Sequence, residues 1–179
     1  MLLCLPSCLY LLVQTRGQQS PERYRAAFER LGHTVGSASH YRLALLVLPP
    51  LLLVGWLSIA LIPDEVLAMS GVSIARLTSV GAAVGAVLRP LGEEVFFRGL
   101  LGGVLMRRLG FAWGNLLQAV VFLLVHLPLL LVDTRLWPLL PAQFAAGWVL
   151  GWLRHRTGTY LPGAAVHATV NIAMGLIAA

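Results

Sequence analysis

Glu93 and Glu94 stand side by side in an otherwise apolar stretch, with Arg98 four residues beyond Glu94: Glu93-Glu94-Val95-Phe96-Phe97-Arg98. Later apolar runs carry His126, four residues after Phe122, and the pair His167 and Asn171, also four apart. Ionisable groups are costly in hydrocarbon and rare there unless they have a function. Two carboxylates, two imidazoles, an amide and a guanidinium form a set that can activate water and stabilise developing charge. On a helix turning about 100° per residue, Glu94 and Arg98 share a face, whereas Glu93 points elsewhere. The spacing therefore predicts a structural ion pair, Glu94–Arg98, and a Glu93 left to face a cavity. A carboxylate placed in that way suits a general base. Phe122 reads as a packing residue.

Other chemistries find no matching motif. There is no His-Glu-x-x-His helix, no Gly-x-Ser-x-Gly turn and no Gly-rich phosphate loop. Cys4 and Cys8 lie in the first apolar run, without His or Cys at metal-binding spacing. Two possibilities stay open: water activated by Glu and His, or a divalent metal such as zinc held by Glu93, His126 and His167.

Composition says where such a site would lie. Of 179 residues, 58% are hydrophobic and only 11% charged; a soluble domain carries about 25% charge. The apolar residues run contiguously, which predicts an all-α, polytopic transmembrane helical bundle. The net charge of +6 comes from arginines alone, there being no lysine. They cluster in short segments between apolar runs, a pattern of membrane topology and lipid contact rather than of nucleic-acid binding.

Residues 1–42 read as an N-terminal interfacial or cytoplasmic segment. Within it, residues 2–13 are apolar but too short to span, and Pro21 to Leu31 form an amphipathic helix with Ser20 as cap. Residues 43–179 form the transmembrane domain, with about five spans: 43–62 kinked at Pro49-Pro50, 78–106, 111–132, 136–153 and 160–178. Residues 66–77 read as an interfacial helix or loop. Taking 78–106 as one span, kinked at Pro90, puts nine arginines on one side of the membrane and two, Arg76 and Arg135, on the other. The positive-inside rule then makes the basic side cytoplasmic and the protein a multi-pass cytoplasmic-membrane protein. Gly81/Gly85, Gly99/Gly103 and Gly147/Gly151 read as small-residue pairs for close helix packing.

Spans 78–106 and 111–132 make a hairpin turning near Arg108-Leu109. Counting about 1.5 Å per residue brings Glu93 and His126 to roughly the same depth, around one water. The last hairpin turns near Thr157, which leaves His167 displaced from Glu93 by roughly 8 Å in depth.

Taken in order, Glu-Glu-x-x-x-Arg (Glu93, Glu94, Arg98), Phe-x-x-x-His (Phe122, His126) and His-x-x-x-Asn (His167, Asn171) resemble the motifs of the CPBP intramembrane protease family, over about residues 80–176. That family includes CAAX prenyl endopeptidases of the Ras-converting type and bacterial bacteriocin-processing or immunity proteins. Many members carry further spans before this core. The resemblance implies an endopeptidase acting on a peptide or protein within the membrane. In it Glu93 and His126 would activate water, while His167 and Asn171 would stabilise the oxyanion. A non-enzymatic immunity or peptide-binding protein of the same fold is the alternative, and a transporter with a Glu/His proton relay a third.

Overall fold

The computed structural model describes residues 4–16, 20–69 and 79–178. The protein is all-α, with no strand among the described residues. The helices are α1 (Leu5–Thr15), α2 (Pro21–Leu31), α3 (Ala38–Ala60), a single turn α4 (Asp64–Leu67), α5 (Val80–Glu94), α6 (Gly103–Leu124), α7 (Leu139–Thr157) and α8 (Leu161–Ile177). Between α5 and α6 the chain stays helical but winds wide, as a π-segment over Val95–Gly102. Such segments are rare and often mark functional sites. The start of α1 lies against it, with the Ser7 hydroxyl donating to the Val95 carbonyl at 3.3 Å.

The bundle is apolar outside and polar within. Leu45, Leu46, Trp56, Val84, Val87, Trp113 and Leu117 are exposed, whereas Glu94, Arg98, Asn115, Gln118 and His167 are buried. In water this distribution would be strongly unfavourable; in lipid it is the arrangement that satisfies both sets of groups. By length and apolarity, two stretches suffice to cross a membrane: Ala38–Ala60 and Val80–Leu131. The second is broken at Gly110, whose φ of 76° and ψ of 169° turn the chain back within α6. That turn gives the hairpin expected from the sequence.

Charged segments sort to opposite ends of the bundle. At one end Arg135 pairs with Glu65 at 2.9 Å, joining the two acidic loops. At the other, Arg107 and Arg154 both donate to the Arg30 carbonyl, at 3.1 and 3.4 Å, at the C-terminus of α2. Arg76 and most of the expected 66–77 segment lie outside the described residues.

Several local expectations need correction. Ser20 occupies the N-cap position of α2, but its side chain makes no capping bond; its carbonyl accepts from Arg23 and Tyr24 instead. The first long helix starts at Ala38 rather than 43, and the Ser37 backbone N–H donates to His40 Nδ1 at 3.2 Å. The expected span 111–132 is α-helical only to Leu124; a 3-10 stretch, Leu127–Leu131, follows. Pro128 explains the break, because it has no N–H to continue the helix and restricts the residue before it. Among the described residues Gly81 and Gly85 pack against no helix: an added Cβ at Gly85 would meet none of their atoms within 4 Å. Gly147 does pack closely, its added Cβ lying 3.1 Å from the Ala119 Cα.

Candidate active site

Arg98 anchors the floor of the site. It is fully buried, as is Glu94, and its Nη1 lies 3.0 Å from Glu94 Oε1. Its Nη2 donates to the Ala146 carbonyl on α7 at 3.1 Å, and its guanidinium carbon sits 4.3 Å from the Phe122 ring centre. One side chain thus ties α5, α6 and α7 together through an ion pair, a hydrogen bond and a cation–π contact. Phe122 is more than filler: Phe97 meets it edge-on at 4.9 Å, and His126 lies against it at 4.7 Å.

His126 sits just past the end of α6, where the helix has begun to unwind. Its backbone N–H bonds to Leu123, one residue short of the α-helical partner, and its ring Nδ1 bonds to the Phe122 carbonyl at 2.7 Å. A carbonyl only accepts, so Nδ1 carries the proton. In the neutral ring, Nε2 is then the free lone pair. His167 Nδ1 bonds to Glu94 Oε1 at 2.9 Å, and its Nε2 stands 3.8 Å from Glu93 Oε2.

The structure thereby brings His167 level with both glutamates, where the residue count left it displaced. The reason lies in the turn before α8. Tyr160, at the start of α8, packs at the level of Gly99, with its ring carbon 3.4 Å from where a Gly99 Cβ would sit. The α7–α8 turn is therefore deeper than the Gly110 turn, and the two hairpins are not flush.

Glu93, His126, His167 and Asn171 all line one cavity of about 510 Å³ between α3, α5, α7 and α8. Glu93 is nearly buried, its side chain 13% exposed. Asn171 has no hydrogen-bond partner among the described residues. Glu94 and Arg98 lie behind the cavity wall, so the structure separates the six motif residues into four that face the cavity and two that support it.

Residues 75–173 match the model of the family described as Type II CAAX prenyl endopeptidase Rce1-like. The chain belongs to that family. It is a membrane-embedded protease family, and the motifs that suggested it lie within the matched residues. No curated protein and no solved structure gives a comparable match.

Among the described residues, no three His, Cys, Asp or Glu side chains converge on one point. His167 directs Nδ1 to Glu94 and His126 directs Nδ1 to the Phe122 carbonyl, which leaves Nε2 of each ring as the nitrogen not engaged by these bonds.

Sequence reasoning missed several contributors. Gly163 lets α8 approach Glu94, since an added Cβ would sit 3.4 Å from Oε2. Asn115 and Gln118 clasp α7 through the Trp148 and Gly147 carbonyls, at 3.1 and 2.6 Å. Buried amides within an apolar hairpin were the available signal. Arg89 and Gln143 also line the cavity; neither belongs to a motif.

Proposed function

We propose that this Rce1-like protein is an intramembrane endopeptidase whose water is activated by Glu93 and His126. The convergence of Glu93, His126, His167 and Asn171 on a single cavity carries this reading. Glu93 takes a proton from water as the oxygen attacks the peptide carbonyl. The tetrahedral intermediate forms with its negative charge on the former carbonyl oxygen. Asn171 donates from its carboxamide to that oxygen, and His167 donates from Nε2 when that nitrogen carries a proton. The proton taken from water passes to the leaving amine as the C–N bond breaks, with the Nε2 lone pair of His126 available to relay it.

Glu94 and Arg98 act as positioning residues. Glu94 orients His167 through the 2.9 Å bond to Nδ1, and Arg98 neutralises Glu94. The substrate is a peptide or protein presented within lipid. By the positive-inside rule, the arginine-rich end of the bundle faces the cytoplasm and the membrane is the cell membrane.

The test compares new protein termini in membranes of cells expressing wild type or Glu93→Ala. Termini present only with wild type establish proteolysis and name the substrate. Matching sets, with both proteins folded and equally abundant, would overturn the reading.

A further inference from the structure

α7 presents one face to the cavity: Leu139, Ala142, Gln143, Ala146 and Leu150. Gln143 is the single polar side chain among them. It is half-buried and has no hydrogen-bond partner among the described residues. Half-buried on the cavity wall, this carboxamide keeps its donors and its acceptor for whatever occupies that space.

The depth of Gln143 follows from Arg98. That guanidinium bonds to the Ala146 carbonyl, which fixes α7 against the π-segment at this level. α5 and α7 run in the same direction, from the Glu65–Arg135 end to the arginine-rich end. Gln143 precedes Ala146 by three α-helical residues, roughly 4.5 Å along the axis, and Glu94 precedes Arg98 by four, at the start of the π-segment. Gln143 and Glu93 therefore both lie on the Glu65–Arg135 side of their residues that meet at this contact, Ala146 and Arg98, and line one cavity from different helices.

We infer that Gln143 is a substrate-positioning residue that hydrogen-bonds the main chain of the bound peptide beside the bond to be cut. The inference rests on the proposed peptidase reading. An extended peptide offers an N–H and a C=O at each residue, and a carboxamide carries the complementary acceptor and donors in one plane. The neighbouring walls, Leu51, Ala142, Leu150 and Val170, offer neither. A peptide entering this space exchanges its water for hydrogen bonds at few places, and Gln143 is one of them. Such a bond holds register as well as affinity: it sets which peptide bond stands before Glu93.

The test uses full-length protein in cell membranes, with the membrane's own proteins as substrate. Wild type, Glu93→Ala, Gln143→Met and Gln143→Ala are compared at equal abundance, reading the rate and the position of each new terminus. Thermal stability of each purified chain is measured alongside. Both Gln143 variants are expected to keep wild-type stability and to make the wild-type cut roughly tenfold more slowly. Cuts at neighbouring bonds should appear, a change that a purely structural role does not produce. Wild-type rate and cut position in either stable variant overturn the inference while the Glu93 result stands. Loss of rate in step with loss of stability in both variants also overturns it. If wild type and Glu93→Ala give the same termini, the peptidase reading fails, and this inference with it.

Discussion

Replacing Glu94 with Gln leaves Arg98 fully buried with its counter-charge gone. Breaking a buried ion pair from one side costs about 3–5 kcal/mol, so Glu94→Gln is expected to lower thermal stability in detergent sharply. Glu93→Gln should do the opposite. Its carboxylate faces the cavity rather than Arg98, so stability should hold while cleavage falls by about 10²–10⁴-fold, the usual contribution of a general base. Thermal unfolding and new-terminus counts on both variants check the pair; equal stability losses would remove the division of labour. The different orientations of the two carboxylates were legible in the sequence because a helix separates neighbouring residues by angle. The partner of His167 was not. Its bond to Glu94 depends on how deep the α7–α8 turn sits, and that depth is set by Tyr160 packing on Gly99, a contact between residues far apart in the chain.

The hairpin of α6 with α7 shows how small and polar residues act together in lipid. Gly147 lets the backbones meet, and Asn115 and Gln118 bond to the carbonyls exposed by that approach. At Gly151 an added Cβ would lie 2.0 Å from Asn115 Oδ1 and 2.6 Å from Gln118 Nε2. Gly151→Ala is therefore expected to destabilise by about 1–3 kcal/mol through overpacking, and more where the clasp opens; melting in detergent measures it. The Gly147/Gly151 pattern was readable from spacing, but the same pattern at Gly81/Gly85 means something else, since no helix among the described residues faces it. Spacing identifies a small-residue stripe without saying whether a helix or a space lies opposite. The loop after α6 adds a pH dependence. Hydrogen bonds from Arg135 hold the Asp133 carboxyl below its usual range. A depressed carboxyl stabilises above its unfolded pKa and ceases to do so as pH falls through its folded one. Hydrogen-exchange protection at residues 133–136 should thus persist through mildly acid pH and drop below the ordinary aspartate range. Arg135→Met should move that loss to higher pH, since it removes the side-chain hydrogen bonds and keeps the backbone one.

The bundle holds a cavity between two packed apolar clusters, one around Ile59, Val66 and Leu136 and one around Leu51, Leu150 and Leu153. Its outer surface is apolar, its polar groups converge inward, and the cavity walls include the bare backbone of Gly81 and Gly85. The all-α class and the polar inventory were visible from composition and motifs. That Glu93 faces a cavity followed from helix geometry; which elements wall that cavity did not, because this depends on which helix faces are left without a partner after α3, α5, α7 and α8 have packed. Gly85 separates a structural from a functional role for that space. A leucine there meets no atom of the described residues within 4 Å at its Cβ, and replacing a helix-interior glycine gains up to about 1 kcal/mol of helix propensity. Gly85→Leu is accordingly expected to fold with equal or greater stability. Its side chain would project into the volume between α3 and α5 that leads toward Glu93, where a substrate would have to lie. Cleavage should fall strongly while melting temperature holds or rises. A stable Gly85→Leu protein with undiminished cleavage would mean that the peptide reaches Glu93 by another route, along the wall formed by α7 and α8.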